Sequence, residues 1–323
     1  MSMNDISLNN VVGIDVGGTK IKIGVVTPNG KIINSNTYSM VTNTQDESVC
    51  CILDALNNFF NNYETSNIKA VGIGLVGHVN HNNGIWLNAI NIPITKPIDL
   101  AEIVTNKTGL PTYLDNDVNA ATLAEKNWGI GKVSSEFLFI NVGTGIAMGI
   151  VSDNKMIRGI TNYAGEIGHT FVGKQLDKWF DYGYLEMSSS GKGIVNRALK
   201  GINYYPNSKL EMLHKQGNLN PDTIFQAAES YDLLARIVVN QAIEGLCIGV
   251  ANVINIFNPE HVIFGGGVFN NSKIIDSIKD HVKEHTLPVA YNSVKSLGIT
   301  ELDTNDIGLL GSASIAIHQT IKT

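Results

Sequence analysis

The chain has 323 residues, of which 43% are hydrophobic and 16% charged, and carries a formal net charge of −6. That length exceeds one ordinary core and fits two domains of about 100–200 residues each, while the apolar content excludes a disordered or low-complexity chain. The acidic balance offers no broad cationic field and argues against a nucleic-acid partner. Three cysteines, Cys50, Cys51 and Cys247, cannot build a disulfide framework in a chain of this size and point to a reducing compartment. Residues 1–10 have neither a basic start nor an apolar run, so they read as no secretory signal. Residues 243–257 are the most apolar stretch, but Glu244, Asn252 and Asn255 interrupt it and it falls short of the roughly 20 residues of a membrane span. A cytoplasmic location with no membrane partner is expected.

Residues 11–16 form a β-branched run that ends at Gly17-Gly18-Thr19-Lys20, and residues 21–26 resume it, which predicts a hairpin around a glycine turn. Residues 48–61 have helical spacing with Ile52, Leu56 and Phe59 on one face, and residues 70–75 read as a buried strand. A helix at 99–108, a short strand at 112–114 and a helix at 118–127 follow. Residues 137–151 repeat the strand-turn-strand design around Gly143-Thr144-Gly145, so two lobes of related construction are expected. In residues 233–257 the apolar positions Val239, Ile243, Leu246, Val250, Val253 and Phe257 step by four and three, which predicts a core helix that Pro259 ends. Residues 261–264 then lead as a strand into Gly265-Gly266-Gly267, and residues 308–318 close the chain as a helix.

Five segments carry chemistry. In DVGGTK (15–20), glycine amides without a neighbouring Cβ can approach phosphate oxygens, Thr19 and Lys20 add donors, and Asp15 can orient a magnesium ion or its water. An ordinary glycine hairpin reads the same residues equally well. Gly143-Thr144-Gly145 is a second loop of this kind, and two phosphate-cradling loops facing across a cleft describe the actin-like, hexokinase-like ATPase fold; Gly265-Gly266-Gly267 offers a third loop for the nucleoside. In LDNDVNAA (114–121), a carboxylate at the junction of strand and helix can take the proton of an attacking hydroxyl, or Asp115, Asn116 or Asp117 can cap the helix. In YAGEIGH (163–169), Glu166 and His169 suit vicinal hydroxyls, a metal pair or a solvated turn.

Taken in order, DVGGTK, DNDVNAA, the 143–145 loop, GEIGH and NPEHVIFGGGV (258–268) resemble the ROK family of sugar kinases and related repressors over almost the whole chain, and GEIGH followed by Leu185-Glu186 is the specific part. The resemblance implies an α/β, two-lobed actin-like and hexokinase-like (ribonuclease H-like) fold with ATP and sugar in the interlobe cleft. Residues 1–117 with a C-terminal helix near 303–323 would make the smaller lobe, and 118–302 the larger. It implies ATP-dependent phosphorylation of a hexose-type sugar with ATP and Mg²⁺, glucose first and N-acetylmannosamine, N-acetylglucosamine, fructose, allose or a β-glucoside remaining open, and a homodimer. By the same resemblance Asp117 matches the catalytic base. Gly77, Asn116, Glu166, His169 and Glu186 match sugar-binding positions. Asp15, Gly17, Gly18, Thr19, Lys20, Thr144, Gly145, Gly266 and Gly267 match positions around ATP. A catalytically weak sugar sensor of the same fold is the alternative.

Many members of that family hold a structural zinc with the GEIGH histidine and three cysteines. Here Asp177, Trp179 and Tyr184 fall at the cysteine positions, so no zinc is expected. His169 is then free to serve the sugar or to stack in the site, and residues 170–184 are expected to be held by packing of Phe171, Trp179, Phe180 and Tyr182. The family's repressors carry a helix-turn-helix region before the first loop, whereas about ten residues precede Val11, which predicts no nucleic-acid role.

Overall fold

The β-branched run before Gly17 is strand β1 (Asn10–Val16), paired antiparallel with β2 (Lys20–Val26), to which β3 (Ile32–Ser39) adds antiparallel. After helix α1 (Gln45–Asn62) the chain returns as β4 (Ile68–Leu75), parallel to β1. A small hairpin of β5 (His78–Asn80) and β6 (Ile85–Asn88) and helix α2 (Leu100–Thr108) lead to β7 (Thr112–Asn116), parallel to β4, and to helix α3 (Asp117–Trp128). The sheet order is β3-β2-β1-β4-β7. The computed structural model describes residues 10–63, 67–89, 92–173, 183–270 and 273–320.

Register sets one edge of this sheet. Asp15 stands opposite Lys22 on β2 and Gly74 on β4, and Gly74 stands opposite Asp115 on β7. The three parallel strands therefore end level, and the loops after Val16, Leu75 and Asn116 leave from one carboxyl edge, where open α/β sheets bind their ligands. Strand alternation sends Val12, Ile14 and Val16 into one core with Ile52, Leu56 and Phe59, the helix face read from the sequence.

Strands β8 (Phe137–Val142), β9 (Ile146–Ser152) and β10 (Lys155–Met156) begin the second half, followed by β11 (Phe171–Gly173) and β12 (Gly183–Tyr184). Helices α4 (Leu185–Ser189), α5 (Gly191–Ile202), α6 (Lys209–Lys215) and α7 (Pro221–Glu229) lie where the sequence reading had no elements. Helix α8 (Leu233–Phe257), β13 (His261–Gly265), α9 (Lys273–His285), α10 (Pro288–Ser293), β14 (Ser296–Ile299) and α11 (Ile307–Thr320) complete the chain. The second sheet runs β10-β9-β8-β13-β14, with β8, β13 and β14 parallel. Both sheets thus place a glycine-turned hairpin beside two further parallel strands, the repeated design that the two turns led one to expect.

Helix α8 is 25 residues long and, by length and composition, apolar enough to cross a membrane. The assessment of residues 243–257 alone was too short, because the helix begins ten residues earlier. Its Leu234, Val238, Ala242, Leu246, Val250 and Ile254 are buried, and it packs on α4, α5, α7 and α9 as a core helix does.

Packing divides the chain into unit 1, Met1–Ser135 with Ile150–Ala164 and Glu301–Thr323, and unit 2, Glu136–Gly149 with Gly165–Thr300. In unit 1, α11 lies on β1 and β4, so close that a Cβ on Gly72 would sit 1.9 Å from Ser312 O, and α3 packs on α11. That contact keeps α3 in unit 1, so the boundary falls after Ser135 rather than after residue 117.

Candidate active site

Asp15, the penultimate residue of β1, has its carboxylate at the first turn of α11, where a Cβ on Gly308 would lie 2.2 Å from Oδ2. Burial lifts its pKa from 3.8 to about 6, and the charge of Lys22 opposes the rise. Lys22 Nζ itself donates to Asp306 Oδ1 at 2.5 Å and Asn305 O at 2.8 Å. In the adjoining turn Gly17 N donates to Lys20 O at 2.9 Å, Thr19 and Lys20 are exposed, and Lys20 is already the first residue of β2. Neither Gly17 nor Gly18 has a positive φ. A Cβ on Gly17 would meet nothing nearer than Lys20 O at 3.4 Å. The packing of Gly17 does not require glycine, and the backbone there is open to approach.

At the end of β7, Asn116 is the N-cap of α3. Its Oδ1 accepts from Val118 N at 2.9 Å and Asn119 N at 3.1 Å, while Nδ2 donates to Gly77 O at 3.0 Å and Asp117 Oδ1 at 2.9 Å. Asp117 Oδ1 also accepts from Val118 N at 3.0 Å, and among the described residues no hydrogen bond reaches its Oδ2. Capping therefore falls to Asn116, and among the described residues Asp117 keeps one oxygen outside these bonds. Burial pushes the Asp117 carboxyl from 3.8 to about 7, the charge of Asp15 adds to the rise, and hydrogen bonds from Val118 N, its own backbone N–H and Asn116 oppose it. Gly77, whose carbonyl Asn116 holds, has φ +90° and faces Asn88 O, which a Cβ would approach to 2.1 Å, so only glycine fits.

The sequence reading missed what surrounds these residues. Asp115 is fully buried, and its Oδ2 accepts from Arg158 Nε at 2.9 Å and Nη2 at 2.7 Å. Its Oδ1 accepts from Asn116 N at 2.9 Å and Asn119 Nδ2 at 3.0 Å, and His81 Nδ1 lies 3.6 Å from Oδ2. The loop after Arg158 closes through Ala164 N to Arg158 O at 3.0 Å, ties down through Asn162 Nδ2 to Val79 O at 2.9 Å, and stacks Tyr163 on His78 with ring centroids 3.9 Å apart. Short-range patterns gave no signal for Arg158, His81 or the contacts of Asn162 and Tyr163, because these join segments far apart in the chain.

In unit 2 the loop at 143–145 is closed by Gly143 N to Gly145 O at 3.0 Å and tied to α5 by Gly191 N to Gly143 O at 2.8 Å and Lys192 N to Thr144 O at 3.4 Å. Glu186, on α4, accepts through Oε2 from Ile146 N at 2.9 Å. A Cβ on Gly145 would meet that oxygen at 2.7 Å, and one on Gly168 would meet it at 3.2 Å. Glu186 thus joins the glycine loop to the GEIGH segment, a connection the sequence did not disclose. His169 is largely exposed, with Nδ1 3.6 Å from Glu166 Oε2. Gly265 stands opposite Asn141 on β8, so the third glycine run leaves its sheet beside the 143–145 loop. Gly266 has φ +92° with Val142 O 2.4 Å from a Cβ position, and Gly267 has open space.

Asp177, Trp179, Phe180 and Tyr182 lie outside the described residues. Tyr184 is half-buried, its ring 4.5 Å from that of Phe171 and 6.2 Å from that of His169. Phe171, expected to pack the loop, is 59% exposed. Among the described residues no group of three His, Cys, Asp or Glu side chains is placed to hold a metal ion.

The ROK family matches residues 11–319. A glucokinase from Halalkalibacterium halodurans is 32% identical over 318 residues, 95% of either chain. A ROK family glucokinase from Streptomyces griseus, solved with glucose and AMPPNP, superposes with a TM-score of 0.77 at 27% identity over 96% of this chain and 99% of that one. A ROK family transcriptional regulator, a homolog of the E. coli MLC protein, gives 0.83 at 26% identity over 96% of this chain and 78% of that one. The fold is the two-lobed actin-like kinase fold of these proteins.

Proposed function

The chain belongs to the ROK family, and on that premise we propose that it transfers the terminal phosphate of ATP to a hydroxyl of a hexose-type sugar, with glucose as the first candidate. The observation that carries this reading is the state of Asp117. It is half-buried, lies at the carboxyl edge of the first sheet, is pushed to about 7, and among the described residues has hydrogen bonds on one oxygen alone. A carboxylate so tuned accepts a proton near neutral pH.

In the proposed reaction Asp117 Oδ2 takes the proton of the sugar hydroxyl as the oxygen attacks the γ-phosphorus. The bond from phosphorus to the bridging oxygen breaks, and ADP leaves with the electron pair. Asn116 fixes the other oxygen of Asp117, and we assign sugar-binding roles to Gly77, Asn116, Glu166, His169 and Glu186. The glycine turn at Gly17 and Gly18, the side chains of Thr19 and Lys20, and the loops with Thr144, Gly145, Gly266 and Gly267 are assigned to the nucleotide, where amide donors stabilise charge on the phosphates. Asp15 is a buried oxygen donor whose ionised form burial disfavours, a cost that a hard divalent cation beside it would relieve. Mg²⁺ held there with ATP would neutralise developing phosphate charge.

A second reading, a sugar-binding regulator, is favoured by the likeness to a transcriptional regulator. A coupled ADP-release assay with MgATP and a panel of hexoses and N-acetylhexosamines separates the two. Turnover on a sugar that vanishes in Asp117→Asn supports the kinase, and tight sugar binding without turnover supports the regulator.

A further inference from the structure

We propose that His78 and Tyr163 form a stacking platform for the apolar face of the sugar ring, and that this platform selects pyranoses whose hydroxyls are all equatorial. The inference rests on the sugar-kinase reading and assigns the site a specificity element that hydrogen-bonding residues alone do not supply.

The platform's position follows from its neighbours in the chain and in unit 1. His78 directly follows Gly77, whose carbonyl is held by Asn116 Nδ2, the same nitrogen that donates to Asp117 Oδ1. Tyr163 stands three residues before Glu166. The two rings stack with centroids 3.9 Å apart and planes 29° from parallel. Tyr163 remains 39% exposed. A large aromatic ring left half in solvent beside polar groups offers one face to a ligand.

The pair is also held in place. His78 Nδ1 lies 2.7 Å from Asn88 Oδ1. On the other side Arg158 grips buried Asp115, Ala164 N closes the loop on Arg158 O, and Asn162 Nδ2 anchors to Val79 O. Asn162 itself sits at φ 64°, a left-handed conformation that the surrounding contacts must hold. Three tethers across one short loop fix the ring before any ligand arrives, and a preorganised ring loses little freedom on binding.

The ligand chemistry follows from the flat ring. A pyranose with every hydroxyl equatorial presents axial C–H groups on both faces, and those faces stack on an aromatic ring. An axial hydroxyl projects from one face, so manno- and allo-configured rings lose stacking on that face.

The test is isothermal titration with glucose, mannose and allose, together with the kcat and KM of phosphorylation, on the full chain and on Tyr163→Ala, Tyr163→Phe and His78→Ala. Tyr163→Ala is expected to weaken glucose binding about five- to tenfold, raising KM with kcat and the KM for ATP unchanged, and to narrow the preference for glucose over mannose or allose. Tyr163→Phe, which keeps the ring, restores binding, and His78→Ala weakens it less than Tyr163→Ala. Unchanged glucose affinity in Tyr163→Ala, or equal losses in the Phe and Ala variants, would overturn the platform. If the wild-type chain binds glucose without phosphorylating it, the kinase reading falls while the titrations still decide the platform; if it binds no hexose, both fall.

Discussion

Replacing Asp117 by Asn removes a charge and keeps the shape, since the oxygen that accepts from Asn116 Nδ2 and Val118 N survives as an amide oxygen. The carboxyl moves from 3.8 in the unfolded chain to about 7 in the fold. That difference corresponds to at most about 4 kcal/mol between its charged and neutral forms. Because the folded value is the higher one, the contribution is intact below pH 3.8, declines as pH rises toward 7, and is fully lost above that. Asp117→Asn should therefore match the wild type near pH 4 and exceed it increasingly up to pH 7, with a constant lead beyond. If solvent relaxation halves the figure to about 2 kcal/mol, the lead is about 4–8 °C in melting temperature for a unit of this size. Thermal unfolding followed by circular dichroism from pH 4.5 to 8.5, without nucleotide, measures it, and turnover should be abolished in the same protein. A lead that does not vary with pH, or a wild type that gains on the variant as pH rises, would refute the reasoning.

Other perturbations read the same edge. Asp15→Asn removes a charge that raises Asp117, so the acidic limb of kcat/KM should move to lower pH in any residual activity. Arg158→Met leaves Asp115 buried and unpaired, a loss of about 3–5 kcal/mol in urea unfolding, and Asp115→Asn in the same chain should recover most of it. Gly77→Ala forces a left-handed residue against Asn88 O and should cost about 2 kcal/mol or more. Glu186→Gln keeps an acceptor for Ile146 N, whereas Glu186→Ala leaves that amide unpaired, so Ala should be the less stable by about 1–3 kcal/mol.

Much of the scaffold was legible because it is written at short range. The β-branched runs around Gly17 and Gly143 and the helix face of Ile52, Leu56 and Phe59 follow from period-two and period-3.6 patterns, and the structure has them where the sequence put them. Helices α4 to α7 escaped because they are only 5, 12, 7 and 9 residues long, and segments that short span few turns over which a helical pattern can repeat. The choice between capping and an uncommitted carboxylate in DNDVN was undecidable from residue types, since all three side chains can cap; only the hydrogen bonds separate Asn116 from Asp117. The Asp115 and Arg158 pair, the His78 and Tyr163 stack and the bond from Ile146 to Glu186 join distant segments, and one sequence holds no record of such distances. The division of the packing after Ser135 was out of reach for the same reason: α3 is adjacent in space to α11, almost two hundred positions on.

The central claim is phosphoryl transfer from ATP to a sugar hydroxyl with Asp117 as base, and ³¹P NMR of a reaction with MgATP and glucose tests it directly. One sugar phosphate resonance growing in step with ADP in the wild type, and absent with Asp117→Asn, is the predicted result. ADP appearing with inorganic phosphate alone, or sugar phosphate formed undiminished by the variant, would contradict it.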